Sequence, residues 1–196
     1  MESEQYLEIL RTAGRLKTMY RHCETERGRR ESVADHSWRT ALMAMLLSGE
    51  EEFRDTDIDR VVRMCLIHDL GEAFTGDIPT FEKNESDEET EDRLLDAWVG
   101  TLPEALRASF QGLLLEMRQM QTREARVYKA LDKMEALISH DESELSTWLP
   151  LEYELQFSYG QEEVRFSEEL TAVRRAIDRW TQEKICQEGD SAFHDQ

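Results

Sequence analysis

The chain contains 196 residues, 39% of them hydrophobic and 34% charged, which is the size and composition of one globular domain. Its 24 basic and 43 acidic residues give a net charge of −19, so most of its surface would repel the phosphate backbone of a nucleic acid. No apolar run approaches the ~18 residues of a membrane span, and the acidic N-terminal residues do not resemble a signal peptide. The three cysteines, Cys23, Cys65 and Cys186, form no close pair, and we therefore expect a cytoplasmic protein without disulfides.

Apolar residues recur at three- and four-residue intervals along most of the chain, and this spacing predicts an all-α fold. We expect one domain of six or seven helices over residues 1–186, followed by a polar tail over residues 187–196. Two segments, 21–31 and 71–86, break the spacing and are predicted to be irregular. An alternating stretch at 151–157 is too isolated to form a sheet. The predicted helices cover residues 4–20, 32–48, 58–70, 88–99, 103–120, 122–140 and 162–184.

Residues that favour helix ends mark several of these boundaries. Ser32 and Asp35 have the spacing of a capping box, in which each side chain bonds to the backbone of the other residue. Asp57 or Thr56 is suited to cap the third helix, and Gly71 is predicted to end it. These boundaries place His36 and the pair His68-Asp69 within about one turn of a predicted helix end.

Three of the predicted helices each carry a metal-binding type of residue inside an apolar segment. His36 lies one turn into the second helix, His68 and Asp69 lie at the end of the third, and Asp132 lies in the middle of the sixth. Any one of them alone is more often a core histidine or a solvent-facing aspartate than a ligand. Found together on three helices, in the order H…HD…D, they favour a shared metal site.

The residues around these positions resemble a known family. The stretch E-S-V-A-D-H-S-W-R surrounds His36, and I-H-D-L-G-E-A-x-x-G-D-I-P begins just before His68. Together with the H…HD…D order, they resemble the HD-domain superfamily of metal-dependent phosphohydrolases, and within it the branch that contains the bacterial 5′-deoxynucleotidases. The resemblance covers about residues 6–140. It implies an all-α bundle whose helices meet at one divalent ion, in agreement with the helical spacing.

The resemblance implies that His36, His68, Asp69 and Asp132 bind the ion, with Asp69 also counted among the catalytic residues. Two imidazoles and two carboxylates suit Co²⁺, Mn²⁺, Ni²⁺, Fe²⁺ or Zn²⁺, and the ligand types do not choose among these metals. Superfamily members with two or more metals resemble one another in carrying extra histidines between the HD pair and the last aspartate. No histidine lies between His68 and Asp132 here, which favours one ion per chain and disfavours dioxygen chemistry.

The same resemblance assigns roles around the ion. Glu72 matches a glutamate that orients or deprotonates the attacking water, although a glutamate there could also be an exposed residue at a helix end. Asp77 matches an aspartate that contacts the sugar 3′-hydroxyl and crowds a 2′-hydroxyl; it could also hold the turn before Pro79. Arg21 matches a phosphate-binding arginine. The family follows that arginine with tryptophan, whereas this chain has His22, which leaves its base preference open.

Other expectations concern residues near or outside these motifs. Arg39, three residues after His36, is expected either to support that histidine or to pair with an acidic neighbour. His140 and His194 have no motif around them and are expected at the surface. Members of the resembled family form homodimers, and the apolar patch at residues 148–157 is our candidate for core packing or a subunit contact.

The leading hypothesis is a cytoplasmic phosphomonoesterase that binds a nucleotide, most plausibly a deoxyribonucleoside 5′-monophosphate, and releases phosphate. A second hypothesis is a nucleoside triphosphate hydrolase that releases triphosphate or pyrophosphate, for which Arg27, Arg29 and Arg30 could supply positive charge. A third is an HD protein that binds nucleotides without turnover. The intact ligand set argues against the third, and product analysis separates the first two.

Overall fold

The computed structural model describes the backbone of residues 1–25 and 28–194, and side chains in this part as far as residue 187. Within it the chain forms ten α-helices and one antiparallel pair of strands. The strands are β1 (Tyr20–Glu24) and β2 (Arg30–Ser32). The helices are α1 (Ser3–Gly14), α2 (Val33–Leu46), α3 (Ile58–Ile67), α4 (Glu72–Thr75), α5 (Glu85–Gly100), α6 (Glu104–Gln119), α7 (Arg123–Glu142), α8 (Glu152–Ser158), α9 (Gln161–Val164) and α10 (Glu168–His194).

Helices α2, α3 and α7 pack against one another in the core, and α10 packs against α7. Their contact faces are apolar: Val33 of α2, Val61 and Met64 of α3, and Leu131 of α7 are at most 2% exposed. His36 is fully buried in the same core. The helices that carry the candidate ligands are therefore the helices that build the core, and close packing holds the ligands in fixed relative positions.

The predicted helix caps that bear on the site are confirmed. Ser32 and Asp35 form the capping box, in which Ser32 Oγ accepts from the Asp35 N–H at 3.2 Å and Asp35 Oδ2 accepts from the Ser32 N–H at 2.9 Å. Asp57, rather than Thr56, caps α3 by accepting from the backbone N–H three residues on. Because the box sets the first turn of α2, it also sets the position of His36.

Segment 21–31 is not the loop that the sequence predicts. Strands β1 and β2 pair there, with Tyr20 opposite Ser32. Most residues of both strands are polar, so their β propensity does not predict strands here. Cross-strand contacts hold the pair instead, among them the Arg30 guanidinium, which donates to the carbonyl of Arg21 at 2.9 Å. Arg21 and His22 consequently lie on a strand rather than on a flexible loop.

The all-α class is confirmed, but the described part has more helices than the predicted six or seven. Helices α4 and α9 span four residues each and α8 spans seven, too few for an apolar period to be visible. The first of these lies in the segment predicted to be irregular, and α8 covers the alternating stretch at 151–157. Helix α10 continues to His194, where the sequence predicts a polar tail; residues 195 and 196 lie outside the described residues.

The apolar patch at residues 148–157 is divided between core and surface. Trp148 is buried, and its indole N–H donates to the backbone carbonyl of His140 at 3.1 Å. Leu149, Leu151 and Phe157 remain 36%, 42% and 37% exposed. None of the helices described here has both the length and the apolar character needed to cross a bilayer.

Candidate metal centre and active site

Three core helices bring His36, His68, Asp69 and Asp132 to one point. His36 lies one turn into α2, His68 and Asp69 directly follow α3, and Asp132 lies in the middle of α7. The imidazoles are almost fully buried, whereas the side chains of Asp69 and Asp132 are 18% and 14% exposed. The two carboxylates therefore lie between the buried histidines and the solvent-accessible side of the site.

Each of the four side chains turns one donor atom toward a common centre. His36 Nε2 lies 3.1 Å from His68 Nε2 and 3.2 Å from Asp132 Oδ1. Asp69 Oδ2 lies 3.0 Å from His68 Nε2 and 3.7 Å from His36 Nε2. His36, His68 and Asp69 each offer a donor atom within 4.8 Å of the other two, as atoms that share one ion through bonds of about 2.0–2.2 Å do. Asp132 Oδ1 approaches this group from the imidazoles, at 3.2 Å from His36 Nε2 and 3.6 Å from His68 Nε2.

Hydrogen bonds on the far side of each ring determine which nitrogen carries its proton. His68 Nδ1 lies 2.8 Å from the carbonyl oxygen of Cys65, which can only accept, so Nδ1 is the donor. His36 Nδ1 faces the buried carboxylate of Glu135 in the same way. In the neutral rings, both Nε2 atoms therefore present lone pairs toward each other, with two carboxylates beside them. This set of electron-pair donors fits a divalent metal ion.

Glu135 was missed by the sequence analysis, and it positions His36. Its carboxylate is fully buried, contacts His36 Nδ1 and accepts hydrogen bonds from Arg39 Nε at 2.6 Å and Ser139 Oγ at 3.1 Å. Arg39 thus pairs with an acid and supports His36 through that acid. Glu135 follows Asp132 by three residues, which places both on one face of α7, and this spacing was the signal available in the sequence.

Neighbouring cations keep the ligand carboxylates ionised. Burial alone would raise the pKa of Asp132, but Lys129, whose Nζ lies 2.8 Å from Asp132 Oδ2, holds that pKa well below its usual range. Burial likewise opposes the charge of Asp69, but His68 lowers the pKa of Asp69 overall while its own ring is protonated. Both groups are charged at neutral pH, as metal ligands must be.

A cavity of about 400 Å³ opens beside these ligands, within the ~300–1,000 Å³ range of small-molecule sites. Among the described residues, its carboxylates outnumber its cations, so the cavity is anionic until a cation is added. A phosphate group needs additional positive charge to bind there, and a divalent ion would supply it. The charged lining residues are Arg21, Lys83, Lys129, Asp69, Glu72, Asp77, Glu88, Asp132 and Glu152.

Glu72 lies inside this cavity and is not an exposed helix-end residue, since it is only 5% exposed. Helix α3 ends at Ile67, but a tight turn continues, in which the Glu72 N–H bonds to the Asp69 carbonyl at 3.1 Å. Within the described part of the chain, Glu72 Oε2 is buried without a hydrogen-bond partner. Burial, reinforced by the charges of Asp69 and Asp77, raises the pKa of Glu72 to about 9. The site thus holds an unpartnered carboxyl group suited to bind a water molecule.

Gly76 turns the chain so that Asp77 lines the cavity. Its φ of 81° and ψ of 166° define a conformation that essentially only glycine adopts. After this turn, Asp77, Ile78 and Pro79 all line the cavity, with Asp77 half-buried. The turn therefore delivers a carboxylate to the wall of the cavity.

Arg21 lies against the candidate ligands rather than on a loop surface. Its side chain is 17% exposed, with Nε 3.0 Å from Glu31 Oε2 and Nη1 3.8 Å from Asp69 Oδ2. Glu31 in turn accepts from Ser139 Oγ at 2.7 Å, which anchors β2 to α7. The guanidinium is thus held at the wall of the cavity, beside the carboxylate of Asp69.

His22 and His140 both line the cavity, and the expectation that His140 lies at the surface is wrong. The His140 side chain is 19% exposed, and Trp148 packs edge-on against its ring with centroids 5.8 Å apart. No local sequence motif indicates that His140 lies in the cavity wall, because this placement depends on the segment after α7 folding back over the helix. The side chain of His194 lies outside the described residues.

The sequence profile of the HD domain matches residues 13–174, a range that includes every candidate ligand. The chain belongs to the HD domain family. Over 146 residues, this HD-domain protein is 34% identical to 5′-deoxynucleotidase HDDC2 of Homo sapiens. The aligned region covers 70% of this chain and 68% of the human protein. The chain is 31% identical over 147 residues to the protein of the same name from Dictyostelium discoideum, with 71% and 77% of the two chains covered.

The HD-domain protein also resembles solved structures over most of its length. A predicted metal-dependent phosphohydrolase from Magnetospirillum magnetotacticum superposes with a TM-score of 0.78 at 30% identity, covering 92% of this chain and 95% of that one. A conserved hypothetical protein from Pyrococcus furiosus has a TM-score of 0.66 at 30% identity, covering 90% and 99%. The likeness thus extends well beyond residues 6–140, and together with the donor set it implies a divalent metal.

Proposed function

We propose that this HD-domain protein is a metal-dependent 5′-deoxynucleotidase, which converts a deoxyribonucleoside 5′-monophosphate to the deoxynucleoside and inorganic phosphate. The observation that carries the proposal is the convergence of His36, His68, Asp69 and Asp132 on one point, beside a cavity that Arg21 also lines. Relatives at 31% and 34% identity bear the name 5′-deoxynucleotidase, which supports the same reaction for this chain.

In this proposal the two histidines and two aspartates hold one divalent ion of the Co²⁺, Mn²⁺, Ni²⁺, Fe²⁺ or Zn²⁺ type. A bound ion supplies Lewis acidity toward a phosphoryl oxygen and a water molecule. Arg21 offsets phosphate charge from the wall of the cavity. Glu72 orients the attacking water with its unpartnered oxygen, and once the positive charge of the bound ion has ionised it, it accepts a proton from that water.

Asp77 is proposed to select the sugar. The turn at Gly76 holds its carboxylate in the cavity, where it can accept a hydrogen bond from a sugar 3′-hydroxyl. A ribose would add a 2′-hydroxyl in the same crowded region. The enzyme should therefore prefer deoxyribonucleotides.

The charges of the β-hairpin do not favour the alternative of triphosphate hydrolysis. Arg29 pairs with Asp35 at 2.8 Å, and the Arg30 side chain donates to the carbonyl of Arg21. Neither Arg29 nor Arg30 is among the described residues that line the cavity, and Arg27 lies outside the described part of the chain. Arg29 and Arg30 therefore do not add the positive charge that a bound triphosphate would need.

A metal-by-substrate screen tests the proposal. Metal-stripped protein is reloaded with each of the five metals and given deoxyribo- and ribonucleoside 5′-mono- and triphosphates. We expect inorganic phosphate from the deoxyribonucleoside monophosphates and less from the ribo forms, with a smaller difference in D77A. Release of triphosphate or pyrophosphate, or nucleotide binding without turnover under every metal, would contradict the proposal.

We also propose a homodimer in the cytoplasm. Two apolar surfaces are available for it: the predicted patch, with Leu149, Leu151 and Phe157, and helix α2, where Trp38 and Leu46 are 62% and 70% exposed. Free thiols support a reducing compartment. Light scattering should give a mass near twice the 23.0 kDa of the chain, and substitution by serine at Phe157 or Leu46 should identify the surface used. A monomer at all concentrations would contradict the dimer.

A further inference from the structure

A cluster of three side chains, His22, His140 and Glu152, lines the cavity without completing its own hydrogen bonds. Glu152 is only 3% exposed, and its Oε1 lies 3.3 Å from His22 Nε2 and 3.6 Å from His140 Nε2, with the rings not aligned to donate. Among the described residues, Glu152 Oε1, His22 Nε2 and His140 Nδ1 are buried and have no hydrogen-bond partner. Unpaired buried polar groups are costly, so three of them in one cavity wall indicate a place where a ligand binds.

Helix α7 connects this cluster to the candidate metal ligands. Asp132, Ala136 and His140 follow one another at intervals of four residues and all line the cavity. Eight residues of helix rise by about 12 Å, which is comparable to the reach of a nucleoside monophosphate from its phosphate to the edge of its base. The small side chain of Ala136 leaves the space between the two ends open.

We propose that His22, His140 and Glu152 form the subsite for the nucleobase, an inference that rests on the proposed 5′-deoxynucleotidase function. With the phosphate at Asp132, the base extends along α7 toward His140. Phe81 lines the same cavity and packs edge-on against His22, with ring centroids 5.8 Å apart, so it offers an apolar face for a base. The His22 side chain is 32% exposed, which leaves it room to turn toward the ligand.

The atoms available in this cluster favour a base that donates hydrogen bonds. Glu152 Oε1 is an acceptor in the ionised carboxylate. Burial lowers the pKa of His140 despite the charge of Glu152, so its ring is neutral near pH 7. In the tautomer that carries its proton on Nε2, the Nδ1 atom of His140 is an acceptor as well. Adenine, guanine and cytosine carry an exocyclic amino group that can donate to these atoms, whereas thymine has none.

The test compares substrates that differ only in the base. Steady-state kcat and KM are measured for dAMP, dGMP, dCMP and dTMP, and for deoxyribose 5-phosphate, which has no base. The variant is E152Q, whose amide oxygen can still accept from the Leu149 N–H that Glu152 caps in the wild type. The matched control is E154Q, an exposed glutamate on the same helix that is not among the lining residues.

We expect the wild type and E154Q to favour the three amino-bearing bases over thymine by roughly tenfold in kcat/KM, the value of about one hydrogen bond. In E152Q this preference should shrink, mainly through KM, while turnover of deoxyribose 5-phosphate stays unchanged. Equal kcat/KM values of the wild type for all four nucleotides, or an equal loss of kcat/KM on all five substrates in E152Q, would overturn the proposed subsite.

A binding measurement separates this inference from the proposed function. Calorimetry with deoxyadenosine and thymidine needs no turnover. Binding of deoxyadenosine that weakens in E152Q, in a protein that releases no phosphate, would support the subsite and contradict the phosphatase. Phosphate release without any base dependence in binding or kinetics would overturn the subsite and leave the phosphatase standing.

Discussion

When neutral, the two candidate ligand histidines hold their protons on the sides that face away from each other. The carbonyl of Cys65 and the carboxylate of Glu135 accept from the two Nδ1 atoms, which leaves both Nε2 atoms as electron-pair donors. Glu135 is held in turn by Arg39. Carboxylates in this position orient histidine ligands and raise their basicity in metal sites generally. The ligand geometry therefore depends on residues that would never touch the ion.

The role of Glu72 can be tested by E72Q, which keeps the shape of the side chain but cannot accept a proton. We expect kcat to fall by roughly 10²- to 10⁴-fold, with metal binding and thermal stability unchanged. E88Q, at another position that lines the cavity, is the control and should retain near wild-type kcat. Wild-type turnover in E72Q would rule out Glu72 as the group that handles the water.

A second residue-scale prediction concerns pH and the buried Asp141. Its carboxylate accepts from Thr181 Oγ1 at 2.9 Å and from Gln156 Nε2 at 3.1 Å, and burial raises the pKa of Asp141 to about 6. A raised pKa in the folded state stabilises the fold below the ordinary pKa of the group, and that stabilisation is lost as pH rises through about 6.

D141N removes this titration. Between pH 5 and pH 7.5, the free energy of unfolding of the wild type should fall by about 1 kcal/mol relative to D141N, as measured by urea denaturation. D55N, at an exposed aspartate, should track the wild type across the same range. If the difference in free energy of unfolding between wild type and D141N did not change with pH, Asp141 would have an ordinary pKa in the fold.

At the scale of elements, the helices that carry the ligands were predictable and the segments that complete the cavity were not. Helices α2, α3 and α7 combine a regular apolar face with strong caps, at Ser32, Asp57 and Thr122, so local signals agree with the final packing. Strand β1 and helix α8 are short. Contacts with other elements hold them, such as the hydrogen bond that Gln156 Nε2 donates to the carbonyl of Leu137 at 3.0 Å and the pairing of β1 with β2. Sequence periodicity does not report such contacts.

The turn at Gly76 gives an element-scale prediction. G76A forces a Cβ into a backbone conformation that costs about 1–3 kcal/mol outside glycine, so the turn should either strain or rearrange. Because Asp77 follows directly, we expect lower thermal stability together with a loss of preference for deoxyribonucleotides. The control is G100A, where an added Cβ meets nothing within 4 Å and φ is not positive. Unchanged selectivity in G76A would separate Asp77 from sugar recognition.

At the scale of the whole molecule, charge explains why the site calls for a cation. The chain carries a net charge of −19, and the described lining of the cavity beside the candidate ligands has more carboxylates than cations. Phosphate substrates would be repelled without a local positive charge. The sequence motifs indicated the candidate ligands and Glu72, and the spacing from Asp132 could have indicated Glu135. His140 and Glu152 became visible only when distant segments were placed together in the fold.

The central claim is that one divalent ion, held by His36, His68, Asp69 and Asp132, is required for phosphate release. The most direct measurement titrates metal-stripped protein with Mn²⁺ while phosphate release from dAMP is followed. We expect a plateau at one equivalent per chain, no tight binding or turnover in D69N, and wild-type behaviour in D96N, an exposed aspartate on α5. Full activity in stripped protein, or D69N that retains both metal and turnover, would contradict it.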